Sequence, residues 1–317
     1  MLDVIPDVHG QAATLHAALA ALGYRERNGV FVHPDTSRRA LFLGDFIDAR
    51  PEDRPDHAGV LSIVCPMVES GSALAVMGNH ELNAIHFHTP HPATGRPLRR
   101  HSPDNLKQHG AFLAEFPLGA ERTRATIDWM RTLPLWLEVE GARFVHACWD
   151  ADSMKVLKRC LPDGRLADEQ LSDSADQSTE LGGAVETALK GIEVRLPNGH
   201  AFHDKNGKER HHVRLRWWGQ RATDWRGAAL SVSDPSRLPE NPLPPELMER
   251  VYPDDAPPVF FGHYWLTPPP TQDASNALCL DMSAGRGGPL ASYRFEGEAK
   301  LDPARVTLHS HVVTSRP

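Results

Sequence analysis

Leu41-Phe-Leu-Gly-Asp-Phe-Ile-Asp48 is the stretch from which the rest of the chain can be interpreted. A short apolar run ends at Gly44, and two carboxylates, Asp45 and Asp48, follow three residues apart. Open α/β sheets place their chemistry at the carboxyl ends of strands, so this pattern predicts a buried strand that delivers acids to a functional edge. Gly-Asp turns are common, and one such stretch alone is a weak signal.

Four further stretches have the same form, because an apolar run ends each time in metal-binding residue types. They carry Asp7 with His9, Asn79 with His80, His146, and His263. Each has an ordinary explanation when taken alone: a loop turn, a helix N-cap at Asn79, or a core histidine at His146. Five of them, each at a predicted strand exit, predict one shared site.

The hydrophobic pattern predicts an α/β fold. Strands are expected at 2–5, 41–43, 73–77, 143–145 and 259–261, and helices at 11–22 and 57–69. Residues 277–281 and 290–295 are expected to form a terminal hairpin-like pair. We expect a single domain over 1–317, with a helical cap or insertion at 82–134 and an insertion of unknown role at 150–257. Within that insertion the acidic segment 163–186 is expected to be solvated.

The donor types of the predicted site point to a class of metal. Carboxylate, imidazole and amide oxygen suit hard or borderline divalent ions such as manganese, iron, cobalt or zinc. One carboxylate can bridge two ions, and such a pair can clamp the attacking and leaving oxygens of a phosphoryl displacement. A water between the two ions becomes hydroxide near neutral pH.

The five motifs together resemble those of the calcineurin-like metallophosphoesterases. The resemblance is greatest to the phosphoprotein-phosphatase branch, which includes bacterial protein phosphatases and diadenosine-tetraphosphate hydrolases. It rests on Asp7-Val-His9-Gly10, Gly44-Asp45-Phe-Ile-Asp48, Gly78-Asn79-His80-Glu81, His146 and Gly262-His263. It implies two mixed β-sheets packed face to face and flanked by helices, with metals at the strand ends.

The resemblance also implies roles for the motif residues. Two divalent metal ions are expected, with manganese first and iron, zinc or cobalt as alternatives. A metal-bridging hydroxide would attack a phosphomonoester, and His80 would protonate the leaving oxygen while Asp48 orients it. The implied metal ligands are Asp7, His9, the bridging Asp45, Asn79, His146 and His263.

The chain departs from the pattern of the branch at positions that concern phosphate binding. Ala49 stands where the branch usually has an arginine, and Arg50 follows it. Tyr264-Trp265 follow His263, so the second histidine of the Gly-His-x-His motif found in the wider family is missing. We expect Arg50, Arg214 and Tyr264 to contact the substrate.

The substrate class stays open between alternatives. The first is a phosphomonoester, either a phosphoprotein or a small phosphorylated metabolite. The second is a diadenosine or nucleoside polyphosphate, whose bases could stack on Trp217 and Trp218 if these were exposed; a strand with Leu215 and Trp217 packed inward is at least as reasonable. A phosphodiesterase or nuclease and a non-catalytic scaffold are weaker alternatives.

Bulk properties exclude several other classes. The formal net charge of −7 over 317 residues argues against a broad nucleic-acid-binding surface, so a nucleic-acid partner is not expected. No apolar run has the length of a membrane span, and no secretory leader pattern opens the chain. The four cysteines lack paired spacing, which favours free thiols and a cytoplasmic location.

Overall fold

The strands of the protein are short and lie along the whole chain. A computed structural model describes residues 1–203, 207–271 and 273–312, so the expected insertion 150–257 includes three residues outside the described part. In chain order the strands are β1 (Leu2–Ile5), β2 (Arg25–Arg27), β3 (Val30–Val32), β4 (Arg39–Phe42), β5 (Ala73–Ala75), β6 (Trp136–Val139), β7 (Ala142–Val145), β8 (Glu193–Arg195), β9 (Phe202–His203), β10 (Glu209–Arg210), β11 (His212–Leu215), β12 (Ala229–Leu230), β13 (Val259–Phe261), β14 (Ala277–Cys279), β15 (Leu290–Phe295) and β16 (Val306–His309).

The helices begin at positions that the sequence marks. Asp56, Ser102, Asp150 and Thr179 each precede a helix and accept its third backbone N–H through their side chains. The helices are α1 (Ala12–Ala21), α2 (His57–Glu69), α3 (Asn79–His88), α4 (Pro103–Glu115), α5 (Glu121–Arg131), α6 (Ala151–Cys160), α7 (Leu171–Ser174), α8 (Glu180–Lys190), α9 (Trp225–Ala228) and α10 (Pro245–Met248).

Two mixed sheets form the centre of the described structure. The first has the order β16-β15-β1-β4-β5, in which β1, β4 and β5 run parallel and β15 pairs antiparallel to β1. The second has the order β14-β13-β7-β6, with β13 parallel to both β7 and β14. The prediction of an α/β fold with two mixed sheets is confirmed.

The sheets pack face to face through alternate side chains of their strands. Val4 and Leu41 of the first sheet share one buried cluster with Phe144 and Phe260 of the second. The Phe260 ring lies 5.1 Å from the ring of Tyr293, which belongs to β15. Successive side chains of a strand point to opposite faces, so the neighbours of these residues face the helices instead.

Helices cover the outer faces of both sheets. Leu19 of α1 and Val64 of α2 share the helix-side cluster with Ile5 and Phe42 of the first sheet. On the second sheet, the backbone N–H of Ala147 donates to the carbonyl of Ala188 in α8 over 3.0 Å. Residues of the segment 150–257 therefore form part of the helical layer beside the second sheet.

Two expectations from the sequence were wrong. The segments near 280 and 290 do not pair as a hairpin, because β14 joins the second sheet and β15 joins the first. The glycine-rich link between them crosses from one sheet to the other. The acidic segment 163–186 is not simply solvated, because Leu181 and Val185 of α8 are buried in the helix-side cluster.

None of the helices in the described part of the chain is long and apolar enough to cross a membrane. The cysteines Cys65, Cys148, Cys160 and Cys279 are free thiols, as their spacing predicted.

Candidate metal centre

The loops that leave the parallel strands are held together by backbone hydrogen bonds. The N–H groups of Val8 and His9 donate to the carbonyl of Asp45 over 3.0 and 2.9 Å. The N–H of Gly262 donates to the carbonyl of His146 over 2.8 Å, and thereby joins the two loops of the second sheet. Strand ends that are distant in sequence therefore meet at one edge.

Four residues of this edge have a left-handed backbone. The φ angles are 46° at His9, 52° at Asp45, 59° at Asp48 and 74° at His263. Such angles cost a non-glycine residue free energy and persist where the surrounding structure imposes them. The chain turns back sharply after β1, β4 and β13 and so aims these side chains at a common point.

Two glycines allow the loops to approach this closely. Gly44 has φ +92°, and a Cβ there would lie 2.3 Å from the backbone nitrogen of Gly78. A Cβ on Gly262 would lie 1.9 Å from Oδ2 of Asp7. Any larger residue at either position would push a strand-end loop away from the site.

Asp45 belongs to two groups of potential metal ligands. One group is His9, Asp45 and His80, and the other is Asp45, His146 and His263. Asp45 Oδ2 lies 3.7 Å from His9 Nε2, 4.0 Å from His80 Nε2 and 3.3 Å from His146 Nε2. A carboxylate shared by two ligand groups is what a bridge between two ions requires.

The imidazole tautomers suit metal binding. His9 Nδ1 donates to the carbonyl of Asp48 over 2.8 Å, and His146 Nδ1 donates to that of Leu43 over 2.7 Å. Each bond leaves the lone pair of Nε2 free for an ion. Nε2 of His9 and Nε2 of His263 are buried without a hydrogen-bond partner, which a bound metal ion would explain.

Asn79 and Asp7 lie beside these groups. Asn79 Oδ1 lies 3.1 Å from His146 Nε2, so both atoms face the same space. The carboxylate of Asp7 accepts the backbone N–H of His263 over 3.0 Å. The structure therefore brings all six predicted metal ligands to one edge of the two sheets.

The site carries an excess of buried negative charge. Burial raises the pKa of Asp7 well above its ordinary value, and the neighbouring carboxylate of Asp281 raises it further. Burial likewise raises the pKa of Asp281 to about 6. Divalent cations would relieve both effects, so the electrostatics fit the donor set.

His80 and Asp48 form a hydrogen-bonded pair at the edge of this cluster. His80 Nδ1 lies 2.9 Å from Asp48 Oδ2. Burial alone would lower the pKa of His80, but the carboxylates of Asp45 and Asp48 raise it above its ordinary value. The imidazole is thus biased toward the protonated form that a general acid needs.

Sequence reasoning gave no role to Glu81 and Asp281, which lie at this site. Glu81 is fully buried and accepts the backbone N–H groups of Asp45, Phe46 and Gly78 over 2.8–3.0 Å. The position of Glu81 in the Gly78-Asn79-His80-Glu81 motif is the feature of the sequence that could have indicated this role. Asp281 follows β14 at the same edge, but the expectation of a terminal hairpin hid this strand exit.

The three residues that we expected to contact the substrate lie in three different environments. Arg214 lies close enough to His263 to lower the pKa of that imidazole, after the larger effect of burial, and its Nε is buried without a hydrogen-bond partner. Arg50 is half exposed and its guanidinium binds Asp53 over 2.8 and 3.0 Å. Tyr264 is buried, and its hydroxyl accepts the indole N–H of Trp217 over 3.0 Å.

The tryptophans proposed as a base-stacking wall lie in the core. Trp217 and Trp218 are 1% and 3% exposed, and the ring of Trp217 lies 4.6 Å from the ring of Phe261. The inward packing of Leu215 and Trp217 is confirmed. A different tryptophan, Trp265, is partly buried and stacks on the ring of His9 with 5.0 Å between centroids.

Several known proteins are similar to this chain. Bis(5'-nucleosyl)-tetraphosphatase PrpE (asymmetrical) of Oceanobacillus iheyensis is 35% identical over 79 residues, which are 25% of this chain and 30% of that protein. PrpE of Geobacillus thermodenitrificans is 37% identical over 79 residues, again 25% of this chain and 30% of that protein. The chain thus spans less than a third of the length of these relatives.

A solved serine/threonine phosphatase from Saccharomyces cerevisiae aligns with 100% of this chain and 81% of its own, at 14% identity and a TM-score of 0.49. The family model for the calcineurin-like phosphoesterases matches residues 2–263, which include all five motifs. The chain therefore belongs to the calcineurin-like phosphoesterase family, whose members use a dinuclear divalent metal site.

Proposed function

We propose that this protein hydrolyses phosphomonoesters, of a phosphoprotein or a small phosphorylated metabolite, with two divalent metal ions. The observation that carries the proposal is the place of Asp45 in both ligand groups. Asp7 and His9 would hold the first ion. Asn79, His146 and His263 would hold the second. Manganese is the ion we propose, with iron, zinc or cobalt as alternatives that the same donors accept.

The metal ions would polarise the phosphoryl group and lower the pKa of water, and the protein supplies the remaining chemistry. His80 presents Nε2 toward Asp45 while Nδ1 donates to Asp48. In our proposal the proton on Nε2 passes to the leaving oxygen. Asp48 fixes the tautomer and orientation of the ring, and favours its protonated form.

Arginines near the site are proposed to bind the phosphate. Arg214 lies on the His263 side, and its buried Nε has no hydrogen-bond partner. Burial lowers the pKa of Arg99, the charge of Asp48 partly opposes this shift, and Nη1 of Arg99 is likewise buried without such a partner. Guanidinium groups bind phosphate oxygens in pairs of hydrogen bonds, and an anion would supply the missing acceptors.

Hydrolysis of a dinucleoside polyphosphate is the second candidate. It is supported by the similarity to bis(5'-nucleosyl)-tetraphosphatases, which are 35% and 37% identical to 79 residues of this chain. Trp217 and Trp218 cannot serve such a substrate from the core. Trp265 lies next to the metal centre, and the guanidinium of Arg286 lies 4.0 Å from the centre of its ring.

Product analysis decides between the two candidates. The manganese-loaded protein is incubated with a phosphopeptide, a nucleoside monophosphate, diadenosine tetraphosphate and a phosphodiester, beside the variant Asp45→Asn. Release of inorganic phosphate from the peptide or monophosphate supports the first proposal. ADP, or AMP with ATP, from the dinucleotide supports the second. Equal turnover by Asp45→Asn with normal metal content would contradict the bridging role in both.

A further inference from the structure

The carboxylate of Asp48 has two imidazole partners. Oδ2 lies 2.9 Å from His80 Nδ1, and Oδ1 lies 2.8 Å from His109 Nδ1. The side chains of Asp48 and His109 are both 0% exposed. His109 is outside all five strand-end motifs, and it comes from α4 within the segment 82–134.

The tautomers along this chain of hydrogen bonds follow from its geometry. Each oxygen of the Asp48 carboxylate faces Nδ1 of one imidazole, at 2.9 Å for His80 and 2.8 Å for His109. A carboxylate only accepts, so Nδ1–H of each imidazole donates to it. Nε2 of His109 lies 3.2 Å from His88 Nε2, so the two rings are within hydrogen-bonding distance of each other.

Aromatic packing fixes the ring of His109. It stacks on Phe112, one turn later in α4, with 4.8 Å between centroids and 24° between planes. Phe112 stacks in turn on Phe116 at 4.7 Å and 9°. Phe87 of α3 approaches the same imidazole at 5.0 Å. The position of this ring is therefore set by the packing of α3 and α4.

This arrangement has a consequence for His80. With one partner, the Asp48 carboxylate could rotate and carry the His80 ring with it. With a second partner on the other oxygen, the plane of the carboxylate is fixed. Loss of His109 would leave a buried Oδ1 without a donor, which favours rotation of the carboxylate toward another donor.

We propose that His109 is a positioning residue, which fixes Asp48 and, through it, the imidazole of His80. General-acid catalysis then depends on the docking of α4, which carries His109. The inference rests on the proposed function for the role of His80. The hydrogen bonds on which it stands can be measured without turnover.

Two substitutions of His109 separate its hydrogen bond from its packing. His109→Phe keeps a ring against Phe112 and removes the donor. His109→Asn loses the ring, but its amide can donate from nearly the position of Nδ1. Each is measured alone and combined with His80→Ala, on p-nitrophenyl phosphate and on an alkyl phosphate.

We expect His109→Phe to lower kcat on the alkyl phosphate about 10-fold or more, as is usual for residues that orient a catalytic group. The effect on p-nitrophenyl phosphate should be smaller, because this leaving group needs no proton. In the His80→Ala background the same substitution should change kcat by less than about 2-fold, since contacts in one network are not additive. His109→Asn should recover part of the lost rate. An equal loss in both backgrounds, or with both substrates, overturns the proposal.

A second measurement does not use activity. In the metal-free protein with ¹⁵N-labelled histidine, protons on Nδ1 of His80 and His109 should appear far downfield as slowly exchanging signals. His109→Phe should remove one signal and shift the other. A wild-type spectrum without the His109 signal overturns the inference even if the variant fails to fold. If the wild-type protein hydrolyses no substrate while both signals are present, the proposed function fails and the hydrogen-bonded arrangement stands.

Discussion

Glu81 Oε2 accepts the backbone N–H of Asp45 over 2.8 Å, although 36 residues separate the two along the chain. The same carboxylate accepts the N–H groups of Phe46 and Gly78, so it joins the loops after β4 and β5. Burial, followed by the charge of Asp45, raises the pKa of Glu81 to about 7. The orientation of Asp45, the proposed bridging carboxylate, therefore depends on Glu81, which binds the backbone of Asp45.

Glu81→Gln should destabilise the protein and weaken metal binding. An amide nitrogen in place of one oxygen would face a backbone N–H, and an unmatched buried donor costs roughly 1–3 kcal/mol. Urea unfolding gives the first effect and metal titration by calorimetry the second. Glu115→Gln is the matched control, because Glu115 accepts N–H groups of His57 and Ala58 at the start of α2. The role of Glu81 is refuted if both variants bind metal equally well.

His80→Ala should separate substrates by their leaving groups. Alkyl phosphates should lose about 10²-fold or more in kcat, since they need a proton on departure, whereas p-nitrophenyl phosphate should lose much less. Steady-state rates on the two substrates give the comparison. Equal losses would mean that His80 acts on the metals or the phosphate and not as the acid.

Arg214→Ala should raise KM for a phosphomonoester about 10-fold or more, because a charge-assisted hydrogen bond contributes roughly 1.5–3 kcal/mol. Arg50→Ala is the control within the same chain. Its guanidinium is already paired with Asp53 and is half exposed, so a small change is expected. A larger rise in KM for Arg50→Ala than for Arg214→Ala would indicate that the loop after Asp48 binds the phosphate.

Trp217→Phe should reduce stability without changing substrate affinity. The indole N–H donates to the carbonyl of Ala147 and to the hydroxyl of Tyr264, both over 3.0 Å, and its loss costs roughly 1–3 kcal/mol. KM for diadenosine tetraphosphate should stay within about 2-fold of the wild-type value, whereas Trp265→Ala tests the partly buried tryptophan beside His9. A larger change in this KM for Trp217→Phe than for Trp265→Ala would indicate that the base binds near Trp217.

The stability of the protein should depend on pH through His86. Burial, with smaller effects of Lys190 and Arg99, lowers the pKa of this imidazole from 6.5 to about 4. Between those values the unfolded chain binds a proton that the folded protein does not, so stability is lost as the pH falls. From about pH 7 to about pH 5 the loss from this group is about 2 kcal/mol.

Chemical denaturation at the two pH values measures this effect. His86→Gln is the informative variant, because an amide can still donate to Ser174 Oγ, which lies 2.9 Å from His86 Nε2. This variant should lose less stability on acidification than the wild-type protein. Parallel pH profiles of the two proteins would show that the imidazole of His86 does not titrate as its burial implies.

The sequence by itself determined the α/β class and the order of the strand-end motifs. It could do so because alternation, glycines and metal-binding residue types are local properties of the chain. It also placed α2 at its observed bounds, since the Asp56 cap and the apolar spacing lie within one segment. The metal-binding residue types at the strand exits follow from the same local patterns, whereas the six proposed ligands and the pair of His80 with Asp48 were implied by the resemblance to a known family.

Only the tertiary structure decided which distant groups meet. Glu81, Asp281 and His109 reach the site through contacts between segments 16 to 61 residues apart, and local patterns do not encode such distances. The assignment of β14 and β15 to different sheets brought Asp281 to the metal edge. The burial of Trp217 was also decided by the tertiary structure, because burial depends on the surface that packs against a residue and not on the residue alone.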